Sequence, residues 1–504
     1  MSEAIQNLRR GPIVASLLIG AFVALLSQTF LNVALPGMMV DLNVSENTIQ
    51  WLSNGYMLVS GVLVPISAFL IERFSTRKLF LSAVGLFTLG TMISGFAPGF
   101  ELVLVGRLVQ AAGAGVLMPL MSIVFLTIFP IEERGKAMGM MGVAMIFAPA
   151  IGPTLSGWIM EHYSWRALFY IIIPLSVFAL IFGAFSLKNV TKTSKPRLDV
   201  LGVILSTLGF GGILYGFSDA GKDGWTSTVV LTCLAVGAVS LILFVWRQLV
   251  IEKPLLEFRV FKFNMYSLTT VINVIITMAL FSGMILLPLY LQRIRGFTPM
   301  ESGLLLLPGA ILMGIMSPIT GMIFDKIGAR WLSVIGLLIT VVTTFEFSKL
   351  TAETTFTSLI ILYTVRSFGM SMLMMPIQTA GMNQLPQRLN AHGSAMSQTL
   401  RNVAGAIGTA LLVSIMTNTA ATKGKELAMA AQINPADPAN QAKMAEIGQQ
   451  AAIHGINFSF VVATWMSVVA LVLAFFIRKV EPHREVKHVE IPDDQKEAAT
   501  ASTK

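Results

Sequence analysis

Charge is what this sequence has least of. Only 12% of its 504 residues are Asp, Glu, Lys or Arg, about half the share of an ordinary soluble domain. The single cysteine, Cys233, excludes an intrachain disulfide. Five histidines are scattered through loops and tail without ligand spacing, so no metal centre is expected. A Gly-rich loop ending in Lys-Ser/Thr is missing, and with it the cradle that ATP hydrolysis would need. No catalytic constellation stands out, so no enzyme activity and no cofactor are expected.

Apolar residues fill the space that charge leaves, at 55% of the chain. One soluble core cannot absorb that much apolar surface, so lipid must be the solvent. About 20 apolar residues cross the hydrocarbon core as a helix. Fourteen such runs follow one another, from 13–34 to 456–477. The expected fold class is an all-α polytopic membrane protein. The first run follows Arg9-Arg10 without an evident cleavage site and reads as a retained span. An even number of spans puts both termini on one side, and Lys and Arg choose the side. With the termini inside, inner ends and loops carry 18 basic residues and outer loops 8. Both termini are therefore expected in the cytoplasm. The net charge of +9 is accounted for by this bias and implies no nucleic-acid partner.

The chain also repeats itself. Pro65-Ile-Ser-Ala-Phe-Leu-Ile-Glu72-Arg73-Phe-Ser-Thr-Arg77-Lys78 returns as Pro318-Ile-Thr-Gly321-Met-Ile-Phe-Asp325-Lys326-Ile-Gly328-Ala-Arg330, at an offset of 253. Pro36 maps near Pro288, Arg107 to Arg366, and Gly135-Lys-Ala-Met138 to Gly393-Ser-Ala-Met396. Spans 1–6 thus match spans 9–14 in the same orientation, the pattern of parallel repeats in secondary transporters. The division expected is a six-helix half over 1–187, two inserted spans with linkers over 188–262, a second half over 263–478 and a cytoplasmic tail over 479–504. Within the second half, 419–455 reads as a long outer loop rich in Ala and Gln and helical in part. The tail is charged and polar, the composition of a disordered segment.

Arg107 is the sharpest single residue. A central arginine costs about 2.5–3.5 kcal/mol on insertion scales, so it should face a cavity or a partner. Arg107, Ala111, Gly115 and Pro119 recur every four residues, with Gln110 on the adjacent face. Arg366 is its counterpart. Gln28, Asn32 and Phe147 are further candidates for the cavity. In span 5, Ala144, Ala148, Gly152 and Ser156 form a small-residue stripe that admits a close neighbour. Pro149 and Pro153 remove backbone donors from the same helix. Glu72 and Asp325, each at the inner end of a span, can pair with Arg73, Arg77, Lys326 or Arg330, or with a helix N-terminus. Either contact could latch one conformation. Met370, Met372, Met374 and Met375 read as apolar filler.

These residues resemble the major facilitator superfamily, specifically its fourteen-helix drug:proton antiporters of the EmrB/QacA type. The resemblance covers about 12–480. Asn32-Val-Ala-Leu-Pro36, Gln50-Trp51 and Tyr56 resemble the helix 1–2 signature, and Gly321–Arg330 the loop motif. Arg107–Gly115 resembles the helix 4 motif, whose arginine is linked to proton coupling. Ala148-Pro149, Gly152-Pro153 and Ser156-Gly157 resemble the antiporter motif of helix 5. Trp165-Arg166 and Arg401-Asn402 are similar to further family marks. The first loop motif departs at Glu72 and Ser75, and Ser27 stands where the family often has Asp. The local pattern is most similar to the lincomycin-resistance subgroup. The resemblance implies two six-helix halves plus two inserted helices, and a proton-coupled exporter of amphipathic compounds in a bacterial plasma membrane. Its partners would be small amphipathic substrates, protons and the bilayer, and a monomer is expected. Because the helix interiors offer three arginines and, as the one clear acid, Glu346 near the outer end of the eleventh span, neutral, zwitterionic or anionic substrates are expected over dications. A transporter of an endogenous metabolite on the same fold, and a membrane sensor that transports nothing, remain open at this point.

Overall fold

The computed structural model describes residues 9–191, 193–194, 198–252, 254–431 and 440–478. The tail 479–504 lies outside the described residues, as do the side chains at 32, 46, 47, 150, 221–223 and 299. Among the described residues, fourteen helices are long and apolar enough to cross a membrane. In lipid every backbone polar group must be satisfied within its own segment, which makes continuous helices the outcome of fourteen apolar runs.

The first six are α1 (Arg10–Asp41), α2 (Trp51–Arg73), α3 (Thr76–Gly95), α4 (Phe100–Ile128), α5 (Arg134–His162) and α6 (Arg166–Ser186). The inserted pair is α7 (Val200–Asp223) and α8 (Thr228–Val250). The last six are α9 (Asn264–Leu289), α10 (Pro299–Ile327), α11 (Ala329–Glu346), α12, α13 (Asn390–Ala430) and α14 (Gln441–Ala474). α12 is broken into Phe356–Ser371 and Met374–Gln384. The expected outer loop over 419–455, helical in part, is mostly helix among its described residues, since α13 runs to Ala430 and α14 starts at Gln441. Ala, Lys, Glu and Gln favour helix in water, and Lys423 pairs with Glu426 one turn away at 2.9 Å.

Small residues set the distances between helices. Gly90 of α3 faces Gly106 and Gln110 of α4, and a Cβ on Gly106 would collide with Ser94 and Gly90. Gly152 of α5 meets Thr29 of α1 with equal closeness, so the stripe Ala144, Ala148, Gly152, Ser156 is buried as its spacing suggested. Between lipid-solvated helices, such backbone approach supplies the van der Waals contact that a hydrophobic driving force supplies in water. Met370 and Met375 lie in the core. Large apolar side chains such as Ile242, Trp246, Phe178 and Trp465 cover the outside.

The inserted pair packs through Gly212 against Gly237 and the backbone of Cys233. Its base is clamped by Asp199, which caps α7 through Gly202 N–H at 3.0 Å. Asp199 also accepts from Arg247 at 2.7 Å and from Gln248 at 2.9 Å. Burial pushes this carboxyl up, but the hydrogen bonds from Arg247, Gly202 and Gln248 win and hold it below its ordinary value. The clamp is therefore in place above the ordinary carboxylate range and is lost only as pH falls through the lowered value.

The glycine packing gives a paired prediction. Gly106→Leu should destabilise the folded protein by about 1–3 kcal/mol through overpacking. Gly85→Ala, where nothing lies within 4 Å of an added Cβ, should be neutral or slightly stabilising. Thermal unfolding of the two variants in detergent checks both, and equal midpoints would contradict the packing account.

Candidate functional site

Arg107 lies two turns into α4 and is only 1% exposed. Its Nη1 donates to Gln110 Oε1 at 2.8 Å and its Nε to the Leu52 carbonyl of α2 at 3.4 Å. The guanidinium lies 4.3 Å from the centre of the Tyr56 ring, a cation–π distance. Gln110, whose oxygen is taken by Arg107, turns its amide nitrogen to Thr91 Oγ1 of α3 at 2.7 Å and Ser27 Oγ of α1 at 3.4 Å. Four helices thus meet on one charge. Of the two surroundings expected for Arg107, a cavity or a partner, the structure shows partners, Gln110 among them. The close approach of α3 and α4 at Gly90 and Gly106 encloses them.

Arg366 repeats the arrangement in α12. It is 2% exposed, and donates to the Ala279 carbonyl of α9 at 3.0 Å and to Thr344 Oγ1 of α11 at 3.3 Å. Gly283 leaves it room. It too is enclosed by its partners. A third arginine, Arg401 of α13, donates to Gln378 Oε1 of α12 at 3.1 Å. Among the described residues no carboxylate forms an ion pair with any of the three. Carbonyls, amides, a hydroxyl and a ring face contact these charges and solvate them in part without neutralising them. Glu346, the acid expected near the outer end of α11, is exposed and pairs with Lys349 at 2.7 Å.

α5 and α10 pack along a long seam. Gly139 and Gly142 face Ser317, Phe147 covers Gly314, and Thr154 approaches Gly303. Ser317 Oγ donates to the Gly139 carbonyl at 3.0 Å. Ala148 and Gly152 turn toward α1, where Thr29 reaches the Ala148 carbonyl at 3.4 Å. Pro149 and Pro153 sit within one continuous helix, and Ser156 bonds back to the Pro153 carbonyl at 3.2 Å. Gly157 has open space beside it. Gln28 is half-buried on α1. The side chain of Asn32 lies outside those described.

The two acid turns meet the opposite half in different ways. Asp325, at the end of α10, accepts from Gly135 N–H at 2.7 Å and from Lys136 N–H at 2.9 Å. These are orphan donors of the first turn of α5, where helix polarity also favours an anion. Glu72 instead lies 3.1 Å from His392 Nε2, at the start of α13. Arg73, Arg77, Lys326 and Arg330 are all exposed. The described contacts bring none of them to either acid, which corrects the expectation that they are latch partners. Their long side chains stay in water, where a charge costs least. Arg330 lies 5.6 Å from the Trp331 ring. The turns themselves differ as well. Gly328 has φ 82°, a conformation that favours glycine. Ser75 is extended and caps α3 through Lys78 N–H at 3.4 Å, which explains why serine serves there.

Two contacts between the halves escaped sequence reasoning. His392 is buried at the α13 start, not in a loop. Arg134 of α5 reaches Asn383 Oδ1 of α12 at 3.1 Å. The Gly135/Gly393 repeat held the signal, since each residue stands one turn position before its glycine or close to it. All these hydrogen bonds between the halves gather at the end of the bundle that carries the acid turns.

The family model described as Major Facilitator Superfamily matches residues 17–409. The chain is 50% identical over 491 residues to the uncharacterized MFS-type transporter YhcA of Bacillus subtilis, covering 92% of each chain. It is 45% identical over 482 residues to the lincomycin resistance protein LmrB of Bacillus subtilis, covering 95% of this chain and 98% of that protein. Among solved structures it is similar in fold to the human organic anion transporter MFSD10, with a TM-score of 0.62 at 12% identity, over 90% of this chain and 99% of that one.

The unequal acid turns lead to unequal variants. Asp325→Asn puts an amide donor against a backbone N–H, whereas Glu72→Gln keeps an acceptor for His392. A charge-assisted bond is worth about 1.5–3 kcal/mol, so Asp325→Asn should part the halves roughly tenfold more often and Glu72→Gln far less. Maleimide labelling of Ser317→Cys, in a Cys233→Ala background, reads this opening. Equal acceleration by the two variants would contradict it.

Proposed function

The chain belongs to the Major Facilitator Superfamily, and from that premise we propose that it is a proton-coupled exporter of amphipathic compounds. It is a multi-pass membrane protein of a transporter family whose members are not enzymes. Our reading sets it in a bacterial plasma membrane with both termini cytoplasmic, as the basic loops indicate. The acid turns then lie on the cytoplasmic side, and the described conformation is the one closed toward the cytoplasm. Alternating access follows when Asp325 leaves the α5 terminus and Glu72 leaves His392, so that the six-helix halves rock about their seams.

The observation that carries the reading is the set of three buried or half-buried arginines without a carboxylate partner. Arg107 is the coupling residue in this account. Its charge reaches α1 through Gln110 and Ser27, at the place where the resemblance led us to expect an acid. An uncompensated guanidinium disfavours a second cation nearby and favours proton release from neighbouring groups. Arg366 and Arg401 act in the same sense from the other half. A site so charged suits neutral, zwitterionic or anionic amphiphiles. The antiporter motif over Ala148–Gly157 and the likeness to a lincomycin resistance protein support export over uptake.

Transport in proteoliposomes under an imposed pH gradient tests the reading. The wild type should move neutral or anionic amphiphiles in preference to divalent quaternary cations. Arg107→Ala should insert normally and lose gradient-driven transport by roughly a hundredfold, as expected for loss of a buried charged hydrogen-bond group. Normal transport by that variant would remove Arg107 from the mechanism, and a preference for dications would overturn the substrate class.

A further inference from the structure

The inserted pair α7–α8 has no copy elsewhere in the chain and no part in the account so far. Its surroundings are specific. The linker leading into α7 docks on the α2–α3 turn: Ser194 N–H donates to the Glu72 carbonyl at 2.8 Å, and Asn189 Oδ1 accepts from Thr76 N–H at 3.0 Å. The linker leaving α8 docks on α13, with Glu257 N–H donating to His392 Nδ1 at 3.4 Å. An imidazole whose Nδ1 accepts carries its proton on Nε2, the nitrogen 3.1 Å from Glu72 Oε1. The two linkers therefore hold both members of the Glu72–His392 contact, one by its backbone and one by its ring.

Two more observations point the same way. α7 lies against both α2 and α13: Gly61 leaves room for Leu214, Trp51 stacks on Tyr215 at 5.6 Å, and Trp225 Nε1 donates to Ser414 Oγ at 2.5 Å. At the latched end, Phe210, Phe244 and Leu256 of the insertion join Ala68, Leu126 and Met396 in one buried cluster that spans both halves. The Asp199 clamp connects this cluster to the linker, because Gln248 bonds Asp199 through its amide nitrogen and accepts from Leu256 N–H at 3.2 Å. At the α5–α10 seam Asp325 caps the facing helix directly.

We propose that the inserted helix pair is a working part of the α2–α13 latch, whose linkers position Glu72 and His392 and so restrain opening toward the acid-turn end. It stands in for the direct helix cap that the first acid turn lacks. The proposal rests on the alternating-access reading above, but on nothing about substrate.

Electron–electron distance measurements in lipid nanodiscs test it, with spin labels at Arg77→Cys and Gln387→Cys in a Cys233→Ala background. Both label sites are exposed. The wild type should show a short, latched distance and a minor longer one. Asp199→Ala should raise the long-to-short ratio roughly fivefold or more, and the exchange of Asp199→Arg with Arg247→Asp should restore it. His392→Ala should shift the ratio in the same direction. Combining it with Asp199→Ala should add little, since residues acting through one contact are not additive. Val239→Ala, on the exposed face of α8, should leave the ratio unchanged. Two distances whose ratio ignores Asp199→Ala, or losses that add in full, would overturn the proposal. A single distance in every variant and pH would overturn alternating access and this inference with it.

Discussion

Two backbone amides at the start of α5 are capped by a carboxylate from the other half of the molecule. Every helix begins with donors that need an acceptor, and within a membrane protein water is scarce near such ends. Asp325 meets that need for Gly135 and Lys136. The bond is therefore both a local cap and a closure between halves, and parting the halves uncovers donors and a carboxylate together. The glycines at 135, 139, 142, 314 and 321 follow from it, since α5 and α10 must approach closely for the cap to form. The second acid turn lacks this geometry. It reaches its partner through an imidazole, and the inserted helices supply the rest of the contact.

Charge placement follows the same economy. An arginine buried in a helical bundle without a counter-ion lowers its cost by finding acceptors on its neighbours. Arg107 and Arg366 find them in a carbonyl of a neighbouring helix and a neutral side chain, Gln110 or Thr344. The basic residues of the acid turns need no such arrangement, for they extend into water. Thus the charges buried inside the two six-helix halves are positive, Asp199 at the base of the inserted pair is the buried acid, and the acids that act between the halves lie at one end.

Much of this was legible beforehand. The apolar runs marked all fourteen spans, because lipid allows few alternatives to a helix. The offset between Pro65 and Pro318 marked both acid turns, and the isolation of Arg107 in an apolar run marked a residue that must be satisfied. What sequence left out concerns partners. Nothing local says that Glu72 meets His392, residues far apart in the chain, or that Arg73 and Arg77 stay outside. Hydropathy ends the spans at 418 and 456, and the Ala- and Gln-rich composition between them points only to partial helix, less than α13 and α14 contain. The break in α12 at Met372–Leu373 is announced by Pro376, which has no N–H to offer the Met372 carbonyl and whose ring crowds it.

The account stands on the capping bond between Asp325 and α5 being broken and remade as the protein works. Hydrogen–deuterium exchange of the Gly135 and Lys136 amides, in nanodiscs at rest and then with saturating transported compound, tests this directly. The account predicts strong protection at rest and clearly faster exchange with the compound present, while amides in the middle of α5 stay protected. Equal protection of the two amides in both conditions would contradict it.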